Sequence, residues 1–301
     1  MQNDILPVIL GASEGAYALA RSFHHDYGIR PLVLDEAPSP LFLHSDAARF
    51  CSVAHLASPH ILYRVLTDFY EEDKRKCYLL IPATSHYLAC VREREAWLST
   101  MFLMPHLPSL ESGEVLRDPI AALFLYRSAE GDCILAYADV IAKTETQAPV
   151  TLLAAACPDE IEAAVLEAAK SLSRGCYLFY LDRDEEDGLS LVMAEEPLSP
   201  LMSLTLAHDI SIPELFLREV VLCEPIEPPS GALYGAFSLF PYRKVKRLLS
   251  KEGKKECRRH AKCGNLISLY TLKNERFSFS LNRIFDSFCL KYGIKKRKIK
   301  K

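Results

Sequence analysis

Residues 6–15, Leu-Pro-Val-Ile-Leu-Gly-Ala-Ser-Glu-Gly, carry the clearest structural signal in the chain. The apolar run 6–10 ending in Gly11 reads as a buried strand. Ser13 is placed to cap a helix whose apolar positions Ala16, Leu19, Ala20 and Phe23 share one face, and Gly28 supplies its stop. Downstream, Leu32–Leu34 reads as a second strand, followed by Asp35 and a Pro-rich loop. Residues 58–72 read as a helix, and Cys77–Ile81 as a third buried strand stopped by Pro82. Thr84 or Ser85 then opens a helix to about Ser99. Strand and helix alternating three times predict an open parallel sheet covered on both faces.

The character changes after Met101. Residues 102–119 contain Pro105, Pro108, Gly113 and Pro119, the composition of a linker. Ala121–Tyr126 and Cys133–Ile141 are strand candidates joined as a hairpin around Gly131. Residues 158–172 form a marked helix pattern, with Pro158 near its start and acidic residues in its first turn. A second hairpin is expected from Tyr177–Leu181 and Leu189–Met193 across the acidic turn 182–188. A short helix at 213–221 and an apolar strand at 233–240 follow, with amphipathic pieces at 245–249 and 281–290. The expected fold is therefore an α/β open parallel sheet followed by an antiparallel α+β unit and a basic C-terminal segment.

Composition narrows the class. The 301 residues are half apolar and a quarter charged, the balance of a globular protein. The sequence shows no secretory leader pattern and no apolar run long enough to span a bilayer. Ten cysteines are scattered, many inside apolar runs, which suits reduced thiols and a cytoplasmic location. The net charge of −3 hides an asymmetry. Residues 242–301 hold 20 Lys/Arg against 4 Asp/Glu, while residues 1–241 hold 16 against 35. Such a split predicts an attached basic segment with its own binding preference, or one that folds back on an acidic body.

Several motifs invite chemical readings. Gly11-Ala12-Ser13-Glu14-Gly15 has the spacing of a nucleophile elbow, but it is the first turn of the chain, and the later His208 and Asp209 are sequence neighbours. The same residues, with Asp35 closing the next strand, also read as a dinucleotide fingerprint whose second glycine is Ser13. The structural alternative is that Gly11 and Gly15 let the helix pack close to its strand, leaving backbone N–H groups at the helix start for an anion. Cys257, His260 and Cys263 could ligate a metal, but the interleaved Arg258, Arg259 and Lys262 favour a solvated basic helix. The terminal run 295–301 could contact nucleic acid or an anionic membrane.

The opening 6–28, including Ala-Leu-Ala-Arg-Ser-Phe-His-His-Asp-Tyr-Gly at 18–28, resembles the pre-ATP-grasp domain of bacterial carboxylate–amine ligases, as does Tyr-Leu-Leu-Ile-Pro at 78–82. Ala136-Tyr137, the helix 158–172, the turn Asp184–Gly188 and its outgoing strand resemble the second lobe of the ATP-grasp fold. Phe240-Pro241-Tyr242-Arg243 and the basic tail resemble the family's C-terminal segment. The resemblance divides the chain into a Rossmann-like domain 1–104, a linker 105–120 where the family has a further lobe, a partial ATP-grasp lobe 121–241, and a basic segment 242–301.

The resemblance also implies where the chain departs from the family. The family's missing lobe carries a lysine that contacts the nucleotide, and no Lys occurs here from Arg92 to Ala142. Positions that hold metal ligands in the family are Tyr180, Ala194, Glu196 and Leu198 here; a one-residue shift brings in Glu195. If ATP and Mg²⁺ were used, Gly11, Ser13, Glu14, Lys143 and Arg183 would be the nucleotide contacts, and Glu195 and Glu196 the metal ligands. The implied function is a degenerate, non-catalytic relative that binds a metabolite or a partner, such as a full-length ligase or a second copy. The alternative is an ATP- and Mg-dependent carboxylate–amine ligase completed by a partner subunit.

Overall fold

The structure is a computed structural model that describes residues 5–43, 45–107, 116–183, 189–194, 197–224, 226, 235–240, 242–263 and 265–269. Strand β1 (Ile5–Leu10) leads into helix α1 (Glu14–Tyr27), followed by β2 (Leu32–Asp35), β3 (Arg49–Ser52), α2 (Pro59–Glu72), β4 (Cys77–Pro82), α3 (Ser85–Glu93) and α4 (Glu95–Leu98). The second part comprises β5 (Pro119–Arg127), β6 (Cys133–Lys143), β7 (Pro149–Ala155), α5 (Asp159–Ala169), β8 (Gly175–Arg183) and β9 (Leu189–Met193). A 3₁₀ helix (Pro200–His208), α6 (Ile212–Leu217), a π turn (Arg218–Leu222), β10 (Ala236–Ser238), α7 (Tyr242–Val245), α8 (Lys251–Lys262) and β11 (Leu266–Ser268) complete it.

The first four strands form a parallel sheet in the order β3-β2-β1-β4, covered on both faces as the apolar runs predict. On one face Val8 and Leu10 of β1 pack with Leu62 and Leu66 of α2 and with Cys90 and Val91 of α3. On the other, Ile9 joins the buried face of α1. Ser13 caps α1, its Oγ accepting from the Ala16 N–H at 3.1 Å, and Gly28 ends it at φ 65°. The helix expected over 84–99 is broken instead at Arg94. The guanidinium of Arg94 lies over the Tyr63 ring and Trp97 meets that ring edge-on at 5.9 Å, while Leu98 is fully buried. Packing around Tyr63 and Leu98 overrides a continuous helical register.

The second sheet has seven strands in the order β11-β10-β7-β6-β5-β8-β9, antiparallel except for the β10–β11 pair. Both expected hairpins form, β5 with β6 and β8 with β9. The period of two sorts β5 and β8 between cores. Ala121, Leu123, Leu125, Tyr177, Phe179 and Leu181 meet Val165 and Ala169 of α5. Ala122, Phe124, Tyr126, Cys176, Leu178 and Tyr180 face the other way, into the core that holds Ala16, Leu19 and Phe23 of α1. Helix α1 thus packs on the first sheet and, through the 3₁₀ helix and α6, shares the core of the second. Helix α8 carries the expected basic stretch, but Cys257 and His260 are buried on one face while Cys263 is exposed, so the three do not converge. No helix among the described residues is long and apolar enough to cross a membrane.

Candidate functional site

The start of α1 meets the second sheet at a cleft of about 550 Å³. Ser13, Glu14 and Gly15 form one wall, Tyr180, Val192 and Ala194 another, and Leu198, Ser199 and Pro200 a third. Tyr180 stands opposite Val192 in the β8–β9 register, so the chain just beyond β9 runs beside it. The strand exit then crosses α1: a Cβ placed on Gly15 would sit 1.8 Å from the Leu198 carbonyl oxygen. Gly15 is therefore required by the backbone that leads from β9 to the 3₁₀ helix, whereas the sequence suggested close packing on the helix's own strand. Gly11 adopts φ 96°, and a Cβ there would lie 2.8 Å from Thr84 Cγ2.

Two backbone donors at the start of α1, the Ala12 and Ala16 N–H groups, have partners within the chain. The Asp35 carboxylate accepts from the Ala12 N–H at 2.7 Å, from the Glu36 N–H at 2.7 Å and from the Tyr87 hydroxyl at 3.2 Å. Burial first, and the Asp35 charge second, push the Tyr87 phenol well above its usual range. The residue that a dinucleotide site would use for a ribose here ties β2 to the β1–α1 turn. Ser13 Oγ spends its acceptor on the helix cap, and His208 gives Nε2 to the Tyr137 carbonyl at 2.9 Å, so the elbow reading finds no assembled triad.

Lys143 and Arg183, the two cations the resemblance would give to a nucleotide, both lie near the Asp118 carboxylate. Lys143 Nζ is ion-paired with Asp118. The hydrogen bond from Lys143 holds the Asp118 carboxyl below its usual range, with the Arg183 charge adding to the effect. The Arg183 N–H donates to the Asp118 carbonyl at 3.2 Å. Beneath this pair Asp182, 4% exposed, accepts from the Arg117 and Asp118 N–H groups at 2.8 and 2.7 Å. The sequence flagged the two cations but missed Asp118 and Asp182, whose spacing from them becomes visible only once the β5–β8 and β5–β6 registers are known.

Glu195 and Glu196 lie outside the described residues. Of the described cleft lining, Glu14 alone carries a carboxylate. Tyr180 is 8% exposed; burial pushes its phenol up to about 12, against a smaller opposing effect of its hydrogen bond with Ser199. Mg²⁺ needs several hard oxygen ligands, and Asp118 and Asp182 are committed to Lys143 and to backbone donors. The described residues therefore do not fit a metal–nucleotide complex. They fit a compact, largely apolar group that offers a hydrogen-bond partner to Tyr180 or the cleft serines.

The sequence matches no protein-family model, and no curated protein is similar enough to count as a relative. Solved structures are similar in fold. The ADP complex of N5-carboxyaminoimidazole ribonucleotide synthetase superposes with a TM-score of 0.52 at 12% identity, covering 81% of this chain and 84% of that one. The Staphylococcus aureus N5-carboxyaminoimidazole synthetase gives 0.52 at 12% identity, covering 80% and 83%. The biotin carboxylase–β-γ-ATP complex from Campylobacter jejuni gives 0.51 at 10% identity, covering 76% and 74%. At such identities the likeness speaks for architecture alone, and the parallel sheet, intervening α1 and mixed sheet agree with it. The chain has an ATP-grasp type of fold.

Proposed function

We propose that this protein is a non-catalytic member of that fold class, acting by binding a small metabolite or a partner protein at the cleft between α1 and the second sheet. The observation that carries the reading is the cleft's composition: Tyr180, Ala194 and Leu198 line it where the resemblance places metal ligands. The Leu198 backbone lies against Gly15, narrowing the approach to the helix start. Phosphoryl transfer depends on metals and cationic clamps to stabilise charge, and neither Tyr180 nor an alanine substitutes for them. Partners consistent with the proposal are a full-length ligase of the same fold or a second copy of the chain.

The competing reading, an ATP- and Mg-dependent ligase completed by another subunit, draws on Lys143 and Arg183 meeting at Asp118. A thermal-shift titration separates the two. A ligand that binds only the folded protein at a hundred times its Kd adds about 2.7 kcal/mol of stability. The binding-protein reading expects no shift with millimolar Mg-ATP or ADP, and no ATP consumption by the purified chain. A Mg-dependent rise in the midpoint that disappears on Glu196→Gln would overturn it.

A further inference from the structure

A second concavity, about 690 Å³, lies away from this cleft, between the C-terminal half of α1, the 3₁₀ helix with α6, and the β10–β11 edge of the second sheet. Its floor is apolar, with Phe237, Ile210 and Leu206, and its rim carries the carboxylates of Asp26, Asp209 and Glu214. Asp26 is oriented by the Ser211 hydroxyl at 2.7 Å and by His25, and Glu214 pairs with Arg218 at 2.9 Å. Asp209 is exposed at the left-handed cap of the 3₁₀ helix. Ser268, 8% exposed, also lines the groove.

The described chain ends at this groove. The Arg21 guanidinium, reaching from α1, donates to the carbonyls of Ser268 and Leu269 and pins the exit of β11 against the groove wall. The 32 residues that follow, 270–301, hold ten Lys/Arg against two Asp/Glu, together with Phe277, Phe279, Ile284, Phe285 and Phe288. We propose that residues 270–301 of the same chain occupy this groove, their basic side chains meeting Asp209 and Glu214 and their aromatic side chains covering Phe237 and Ile210. The segment's charge is opposite to the rim's, and its composition matches an apolar floor with an acidic edge. Being tethered at Leu269, it faces the groove at an effective concentration of about millimolar, against which a free basic partner must compete.

Limited trypsin digestion of the full chain tests this, because Lys273, Arg276 and Arg283 fall in the segment. Proteolysis follows the population of the released form. Cleavage at these three sites should be slow in the wild type at low salt and faster at 1 M salt. Asp209→Asn with Glu214→Gln, which keep backbone preference and side-chain size, should speed it about three- to tenfold, the range for losing two exposed charge contacts. Neutralising Glu160 and Glu162 on α5 should change nothing. Acceleration that spreads to sites within β1–β9 would report unfolding, and hydrogen exchange then decides: residues 206–214 and 266–269 must lose protection in the double variant while β5 and β8 keep theirs. Rapid cleavage in the wild type, insensitivity to both salt and the double substitution, protection that falls on tenfold dilution (a second copy in the groove), or a small molecule retained in the native mass spectrum would each overturn the proposal.

Discussion

Replacing Gly15 with alanine tests whether the segment after β9 really crosses the start of α1. The new Cβ would lie 1.8 Å from the Leu198 carbonyl oxygen and 2.5 Å from its carbon, whereas real Cβ atoms essentially never come within 3.0 Å of another heavy atom. The Leu198 backbone or the helix must therefore retreat by roughly 1.2 Å, into a region where Leu198, Leu201 and Met202 are already buried. Overpacking a filled core costs about 1–3 kcal/mol, and more when backbone has to move. Alanine's helical preference returns at most about 1 kcal/mol, less in the first turn. A net loss near 2 kcal/mol is expected, a fall of roughly 4 °C in the unfolding midpoint for a chain of this size. Gly253→Ala is the internal comparison. Its Cβ would meet Leu249 Cδ2 at 3.2 Å, the end of a side chain that can rotate, so a change within about 1 kcal/mol is expected. Differential scanning calorimetry of both variants reads the contrast. A Gly15→Ala protein as stable as wild type would refute the close approach, and with it the shape of the cleft.

Asp182→Asn should cost about 1–3 kcal/mol in urea denaturation, because an amide cannot accept from both the Arg117 and Asp118 N–H groups. Asp118→Asn, in an ion pair that is partly solvent-exposed, should cost less than about 1 kcal/mol, and the order of the two variants is the check. Alkaline pH should destabilise the fold through its tyrosines: Tyr180, pushed up to about 12, and Tyr87, Tyr126 and Tyr137, raised further, stay protonated in the native state while the unfolded chain ionises near 10. The unfolded state then binds fewer protons, so this contribution is fully present below pH 10 and is lost as pH rises through 12. Denaturation curves across that window should show a steeper fall for wild type than for Tyr180→Phe, and equal slopes would remove Tyr180 from the buried cleft wall.

The parallel half of the fold was legible because each element advertised itself locally. Ser13 and Gly28 mark both ends of α1, and an apolar run in β1 can only be a strand buried on both faces. Elements that depend on neighbours were missed. Strand β3 has a mixed, partly exposed pattern and pairs only with the β2 edge, so nothing in Arg49–Ser52 distinguishes it from loop. The 3₁₀ helix did carry a signal, Ser199 capping Leu201 with Pro200 at the first position, but its nearly uniform burial erases the amphipathic period that would have supported it.

The same reasoning explains why the site was half visible. Tyr180 was noticed as a departure from a family pattern, but β8 is buried on both faces, so alternation could not say whether its side chain meets α5 or α1. The passage of Leu198 over Gly15 settles it, a contact between residues far apart in sequence. Gly15 shows the limit most clearly. A glycine in a first helical turn announces that some backbone comes close, and it carries no information about which one. That the backbone is Leu198, on the segment between β9 and the 3₁₀ helix, makes a packing detail part of the cleft: the chain that closes on the helix start also forms one of the cleft's walls. Stability at that contact and openness of the cleft are consequently opposed, and a substitution that relaxes Leu198 should widen the cleft as it weakens the fold.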